Sequence, residues 1–138
     1  MVNSKECNPM VKKDQEQFIF EDLKVYQASL DFVDFVYSCI AAFPRSEDFA
    51  LKDQFRRAVL SIPLNIAEGS GGSKAEFIRY LKIALRSVRE CIAIAEIAHR
   101  QNYLSDGQRS RIRQECAMLS RMLTNLHKAI NDKGVWKS

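Results

Sequence analysis

Apolar residues recur at intervals of three and four along almost the whole chain, and a sequence patterned in this way throughout has little but helices to fold into. The first run spans about residues 21–42. Tyr26, Leu30, Val33, Tyr37 and Ile40 line one face there, and Phe32 and Val36 widen it. "FPRSED" at 43–48 breaks the pattern, with Pro44 as a stop signal and Ser46 as the expected N-cap. The second run, about 47–69, carries Leu51, Phe55, Ala58, Val59, Ile62 and Ile66 on one face, and Gly69 to Gly72 is expected to end it through positive φ. The third opens on a capping box, Ser73-Lys-Ala-Glu76, and covers about 73–101 with Phe77, Leu81, Ala84, Val88, Cys91, Ile92 and Ala95 inward. The fourth opens on a second box, Ser105-Asp-Gly-Gln108, and covers about 106–132 with Ile112, Cys116, Leu119, Leu123, Leu126 and Ile130 inward and Gly134 past its end.

Breaks this short turn each long helix back on the one before. The sequence therefore predicts an all-α, antiparallel, up-down-up-down four-helix bundle over residues 18–134, with a disordered polar tail at 1–17 and a short tail at 135–138. Five glycines and three prolines leave little material for a turn-rich β fold. No stretch approaches the ~20 apolar residues that span a bilayer, and the first 17 residues hold no apolar run of signal-peptide length. The chain is expected in the cytoplasm, without a membrane partner.

Candidate chemistry is sparse. Glu96 and His99 have the Glu-x-x-His spacing of di-iron bundles, but the other histidine, His127, lacks the matching glutamate, so neither a metal nor a cofactor is expected. "GSGG" has neither the lysine nor the preceding strand of a phosphate-cradling loop. Cys39, Cys91 and Cys116 fall in apolar helical positions, where a thiol packs as a small hydrophobe, and Cys7 forms no CxxC pair. These observations predict a protein that is not an enzyme.

Three other features call for a role. Leu60, Leu64 and Ala67 lie opposite the main stripe of the second run, and Ile83, Ile94 and Ile97 lie off that of the third. A monomeric bundle needs one stripe per helix, so Leu60, Leu64, Ile83 and Ile94 are assigned to a homo-oligomer interface. Arg79, Lys82, Arg86 and Arg89 recur at three and four residues down the third run, and Arg109, Arg111 and Arg113 form a second basic patch. With a net charge of +4, such a stripe suits the phosphate backbone of RNA or another nucleic acid. The competing use is pairing with an acidic first helix (Glu21, Asp22, Asp31, Asp34), which would leave a protein-interaction scaffold that binds a protein partner and no nucleic acid. Finally, Gln54, Arg57, Ser61, Asn65 and Glu68 form a narrow polar stripe beside the core face, with Glu76, Ser87 and Glu90 as candidate partners and Pro63 as a local bend.

That polar stripe sits in the string Q-x-x-R-A…S-I-x-x-N-I-A-E-G, here Gln54, Arg57, Ala58, Ser61, Ile62, Asn65, Ile66, Ala67, Glu68 and Gly69. Together with "FEDLKVYQ" and "SKAEFIRYLKIALRSVRECIAIAEIA", it resembles the four-helix bundle proteins also called 23S ribosomal RNA intervening-sequence proteins, over about residues 20–105. The resemblance implies an antiparallel bundle assembling as a homopentamer, with no catalytic residues to carry over. A more distant likeness is to the accessory protein of diversity-generating retroelements, a basic pentamer that engages a reverse transcriptase and nucleic acid. Two positions depart from the family pattern: Arg86 precedes Ser87 where members usually have glycine, and the neutral Ser70-Gly71-Gly72 stands where the turn is often basic.

Overall fold

The computed structural model describes residues 19–133, so the expected tails and Gly134 lie outside the described residues. Four α-helices follow one another: α1 (Lys24–Ile40), α2 (Leu51–Ser70), α3 (Lys74–Arg100) and α4 (Asp106–Lys133). Short 3-10 turns occupy Ile19–Asp22 and Arg45–Glu47, and no strand occurs among the described residues. The seam between α2 and α3 is the most extensive, followed by that between α3 and α4. α1 packs on α2 and α4, which places α1 and α3 across the diagonal of a bundle. Phe32, Phe55, Phe77, Leu81, Ile112, Leu119 and Leu123 fill the middle and are wholly buried. Early residues of α2 meet late residues of α3, as Gln54 with Glu90, Ser61 with Ser87 and Gly69 with Tyr80.

Both capping boxes form. Ser73 Oγ accepts from the Glu76 N–H at 3.1 Å while Glu76 Oε1 accepts from the Ser73 N–H at 2.9 Å. Ser105 and Gln108 make the same exchange at 3.1 and 2.9 Å.

The structure corrects the expected start of α2. Ser46 is exposed and the N-cap position falls to Ala50, which has no capping side chain; Glu47 Oε1, from the preceding turn, accepts from the Leu51 N–H at 3.0 Å instead. A carboxylate reaching one turn forward satisfies an orphan N–H and favours the positive end of the helix dipole. Its second oxygen accepts from the Tyr103 hydroxyl at 3.3 Å, and the Tyr103 ring packs on Phe43 with centroids 5.4 Å apart. The turn after α1 and the turn after α3 are thereby tied together. Desolvation and the Glu47 carboxylate push the Tyr103 pKa up, keeping its hydroxyl a donor.

The expected use of glycine is also corrected. Gly71 caps α2 with φ −86°, and the chain turns there without the left-handed region. That region is used after α3, by Asn102 at φ 66°. The Tyr103 N–H donates to Ala98 O and the Asn102 N–H to His99 O, both at 2.9 Å, which is a Schellman ending with Asn in the position glycine usually takes.

α1 is rotated from the expected face. Val25, Ser29, Phe32, Val36 and Cys39 are buried, whereas Leu30 and Tyr37 are 36% and 40% exposed. Apolar residues cover half of this helix, and the side bearing Tyr26 and Tyr37 has hydroxyls that favour the border with water. Cys39, Cys91 and Cys116 are free buried thiols, and burial pushes Cys116 up to about 12 and raises the other two as well. Among the described residues no helix is long and apolar enough to cross a membrane.

Candidate nucleic-acid interface

A helix exposes the residues that its packing leaves over, and α3 buries Phe77, Leu81, Ala84, Val88, Cys91 and Ala95 on one side. Arg79, Lys82, Arg86 and Arg89 fall on the opposite side, at i, i+3, i+7 and i+10, and all four are exposed. At 1.5 Å per residue the line runs about 15 Å. No carboxylate lies within ion-pair distance of any of the four among the described residues; the Arg79 guanidinium sits over the Tyr80 ring, 4.6 Å from its centroid. The acidic α1, carrying exposed Asp31 and Asp34, stands across the diagonal and does not neutralise the stripe within the chain.

The second basic patch is spent internally. Arg109 grips Glu96 with two bonds, Nε to Oε1 at 2.9 Å and Nη2 to Oε2 at 3.2 Å. Arg113 adds a third contact to the same carboxylate at 3.7 Å. Arg111 bonds Glu115 at 2.8 Å and lies 3.9 Å over the Phe35 ring. The Arg109 hydrogen bond holds the Glu96 carboxyl below its ordinary range, so this carboxylate is charged and claimed at neutral pH. His99 is engaged too, Nε2 to Asp106 Oδ1 at 2.7 Å. Glu96 and His99 thus tie α3 to the start of α4, and no group of three potential metal ligands occurs among the described residues.

The polar stripe of α2 splits in two. Asn65 Nδ2 donates to Ser61 O at 2.7 Å and Ser61 Oγ at 2.8 Å. Ser87 Oγ donates across the seam to Ser61 Oγ at 2.7 Å, with Ile83 O as its alternative acceptor at 3.2 Å. Gln54 Nε2 reaches Glu90 Oε2 at 3.4 Å. Ser87 and Glu90 are therefore the partners the sequence pointed to, while Glu76 serves its capping box. Arg57 pairs with Asp53 of its own helix at 3.1 Å and stays 80% exposed, and Glu68 is exposed at the far end. With its hydrogen bonds closed on themselves, the Ser61–Asn65–Ser87 cluster fixes the α2–α3 register. Asn65→Leu is expected to cost about 1 kcal/mol in a denaturant melt, the net worth of a typical hydrogen bond, and to leave nucleic-acid affinity unchanged. Lost binding at unchanged stability would make the stripe a ligand site instead.

The four residues assigned to an oligomer interface are not equivalent. Leu64 is 63% exposed and Leu60 and Ile83 are half-buried, but Ile94 is 3% exposed and packs in the core. Ile94 turns toward α2 and is covered within the chain; Ile97, at 50%, is the exposed isoleucine of that end. The sequence reading gave no role to Phe49, which is 97% exposed beside a groove of about 540 Å³ lined by Asp53, Gln54, Arg57, Ser61, Ser87 and Glu90. Its signal was an aromatic residue in a break between apolar runs.

The comparisons agree with this architecture. No curated protein matches the chain. A crystal structure from Bacteroides thetaiotaomicron, of a protein with unknown function from the S23 ribosomal protein family, superposes with a TM-score of 0.70 at 26% identity. The match covers 75% of this chain and 98% of that one. The family model described as 23S rRNA-intervening sequence protein matches residues 21–125, past the quoted motifs and well into α4. With the four helices, the Ser61–Asn65–Ser87 seam and a match over most of its length, the chain belongs to the 23S rRNA-intervening sequence protein family.

Proposed function

We propose that this chain is a non-enzymatic, cytoplasmic, homo-oligomeric accessory protein that binds RNA or another nucleic acid through the outer ridge of α3. One observation carries the reading. Among the described residues Arg79, Lys82, Arg86 and Arg89 keep four cations on one exposed line without a carboxylate, whereas Arg109, Arg111 and Arg113 pair with Glu96 and Glu115. Unspent positive charge aligned along a helix is what a phosphate backbone attracts. The contact set is accordingly the α3 stripe, with the α4 arginines serving the bundle.

The pentamer is the assembly that the family resemblance implies, and exposed Leu64 with its neighbours Leu60 and Ile83 supplies apolar surface for it. The antiparallel, up-down-up-down order is supported by the opposed residue pairs of α2 and α3, and by Glu96–Arg109 and Lys74–Asn131 between α3 and α4. A non-enzymatic role is supported by engaged Glu96 and His99 and by thiols held protonated.

Light-scattering mass after size exclusion, with absorbance at two wavelengths, tests the reading on protein purified without nuclease. The expected result is a five-chain particle carrying nucleic acid that high salt releases. A nucleic-acid-free particle that high and low salt leave unchanged would favour a protein-interaction scaffold, and a monomer would remove the assembly.

A further inference from the structure

We propose that the α3 stripe grips the backbone of a double-stranded nucleic acid and not of an unpaired strand; this rests on the polyanion reading above and names its substrate class. Proteins that hold unpaired strands combine a cationic groove along the backbone with aromatic rings on which the freed bases stack. The α3 surface has the cations and lacks the other two features.

The cations form a ridge. They sit on the line of α3 directly opposite its buried face, so among the described residues no other helix of the chain flanks them to enclose a flexible strand. A ridge about 15 Å long with charges every three or four residues instead meets one rail of a rigid duplex, whose strand carries one phosphate for about every 3.4 Å of helix axis.

The rings are unavailable. Phe77 is wholly buried. Tyr80 is half-buried with its Cβ against Gly69, and the Arg79 guanidinium lies over its ring. A base could take that face only by displacing an arginine of the stripe. Phe49 has an open ring, but it lies on the α2 side, at a groove whose cation, Arg57, is paired with Asp53 at 3.1 Å and which also holds Glu90. The side-chain partner of Glu90 is the neutral Gln54, so its negative charge faces any phosphate that approaches Phe49. Charge and stacking are thus segregated on this surface, and only a ligand whose bases are already paired can use the charge alone.

Fluorescence anisotropy with the full chain tests this, using an RNA duplex of about 20 base pairs, two helical turns, the DNA duplex of the same sequence, and one RNA strand alone. Both duplexes are expected to bind at least tenfold more tightly than the single strand. Their salt slope should be close to −3.6 per bound chain, about −0.9 for each of four phosphate contacts. A preference for one duplex would assign the helical form and still support the proposal. Single-strand affinity equal to or above that of both duplexes would overturn it, as would a Phe49→Ala variant that loses single-strand binding. Binding to none of the three would remove the polyanion reading itself, and this inference with it.

Discussion

K82E/R86E is expected to lower nucleic-acid affinity by about a hundredfold at low salt and to halve the dependence of binding on salt. Each cation that meets a phosphate releases a condensed counterion, worth about −0.9 in the slope of log K against log salt. Removing two of the four aligned cations takes the slope from about −3.6 to about −1.8 per chain, and the two new carboxylates add repulsion. The fold should be untouched. Both side chains are exposed, neither has an ion-pair partner among the described residues, and surface changes of this kind stay within about ±0.5 kcal/mol. A melt and an anisotropy titration on the same preparation separate the two effects. Unchanged affinity with an unchanged melt would exclude the stripe as the contact surface.

The second large effect is on stability. Gly69→Val is expected to destabilise the bundle by about 3 kcal/mol, a drop on the order of 10 °C in Tm. Gly69 is buried in the last turn of α2, and a Cβ placed on it would stand 2.6 Å from the Tyr80 Cβ and 3.1 Å from Phe77 Cδ1. The first of those atoms is bonded to the α3 backbone and cannot swing aside, so the helices themselves must part at their most extensive seam. Gly69→Ala meets the same atom with less bulk and regains about 1 kcal/mol of helix propensity, so it should lose less. If Val were tolerated without loss, the close approach of α2 and α3 would not constrain the fold.

Gly69 also shows what the sequence could and could not disclose. A glycine near a helix end reads as a φ signal, because that is a property of one residue. Its actual use, letting Tyr80 come close, depends on a partner eleven residues away in the next helix, which periodicity does not encode. The four helices were legible because each carries a continuous apolar face and two begin with capping boxes that are local by nature. The start of α2 was less so, since Glu47 caps it from a 3-10 turn and owes its position to Tyr103, fifty-six residues on. The α3 stripe was legible as charge at helical spacing, and its difference from the Arg109–Arg113 patch was not. Arg111–Glu115 is an i,i+4 pair within α4 that spacing alone encodes, but whether Arg109 and Arg113 keep their charge free depends on where packing brings Glu96. Ile94 failed for a related reason: a position off the main stripe still lies inside when the neighbouring helix closes over that flank.

The diagonal opposition of α1 and α3 has a kinetic meaning. Exposed Asp31 and Asp34 lie on α1, beside Arg111 of α4, while the unspent cations lie on α3 across the diagonal, so the two helices present unlike charge. On the polyanion reading proposed above, that difference would favour approach with the stripe foremost, selecting productive orientations during diffusion. Added salt should therefore slow arrival more than it hastens departure. The stripe would then set how fast such a bundle finds phosphate more than how long it stays.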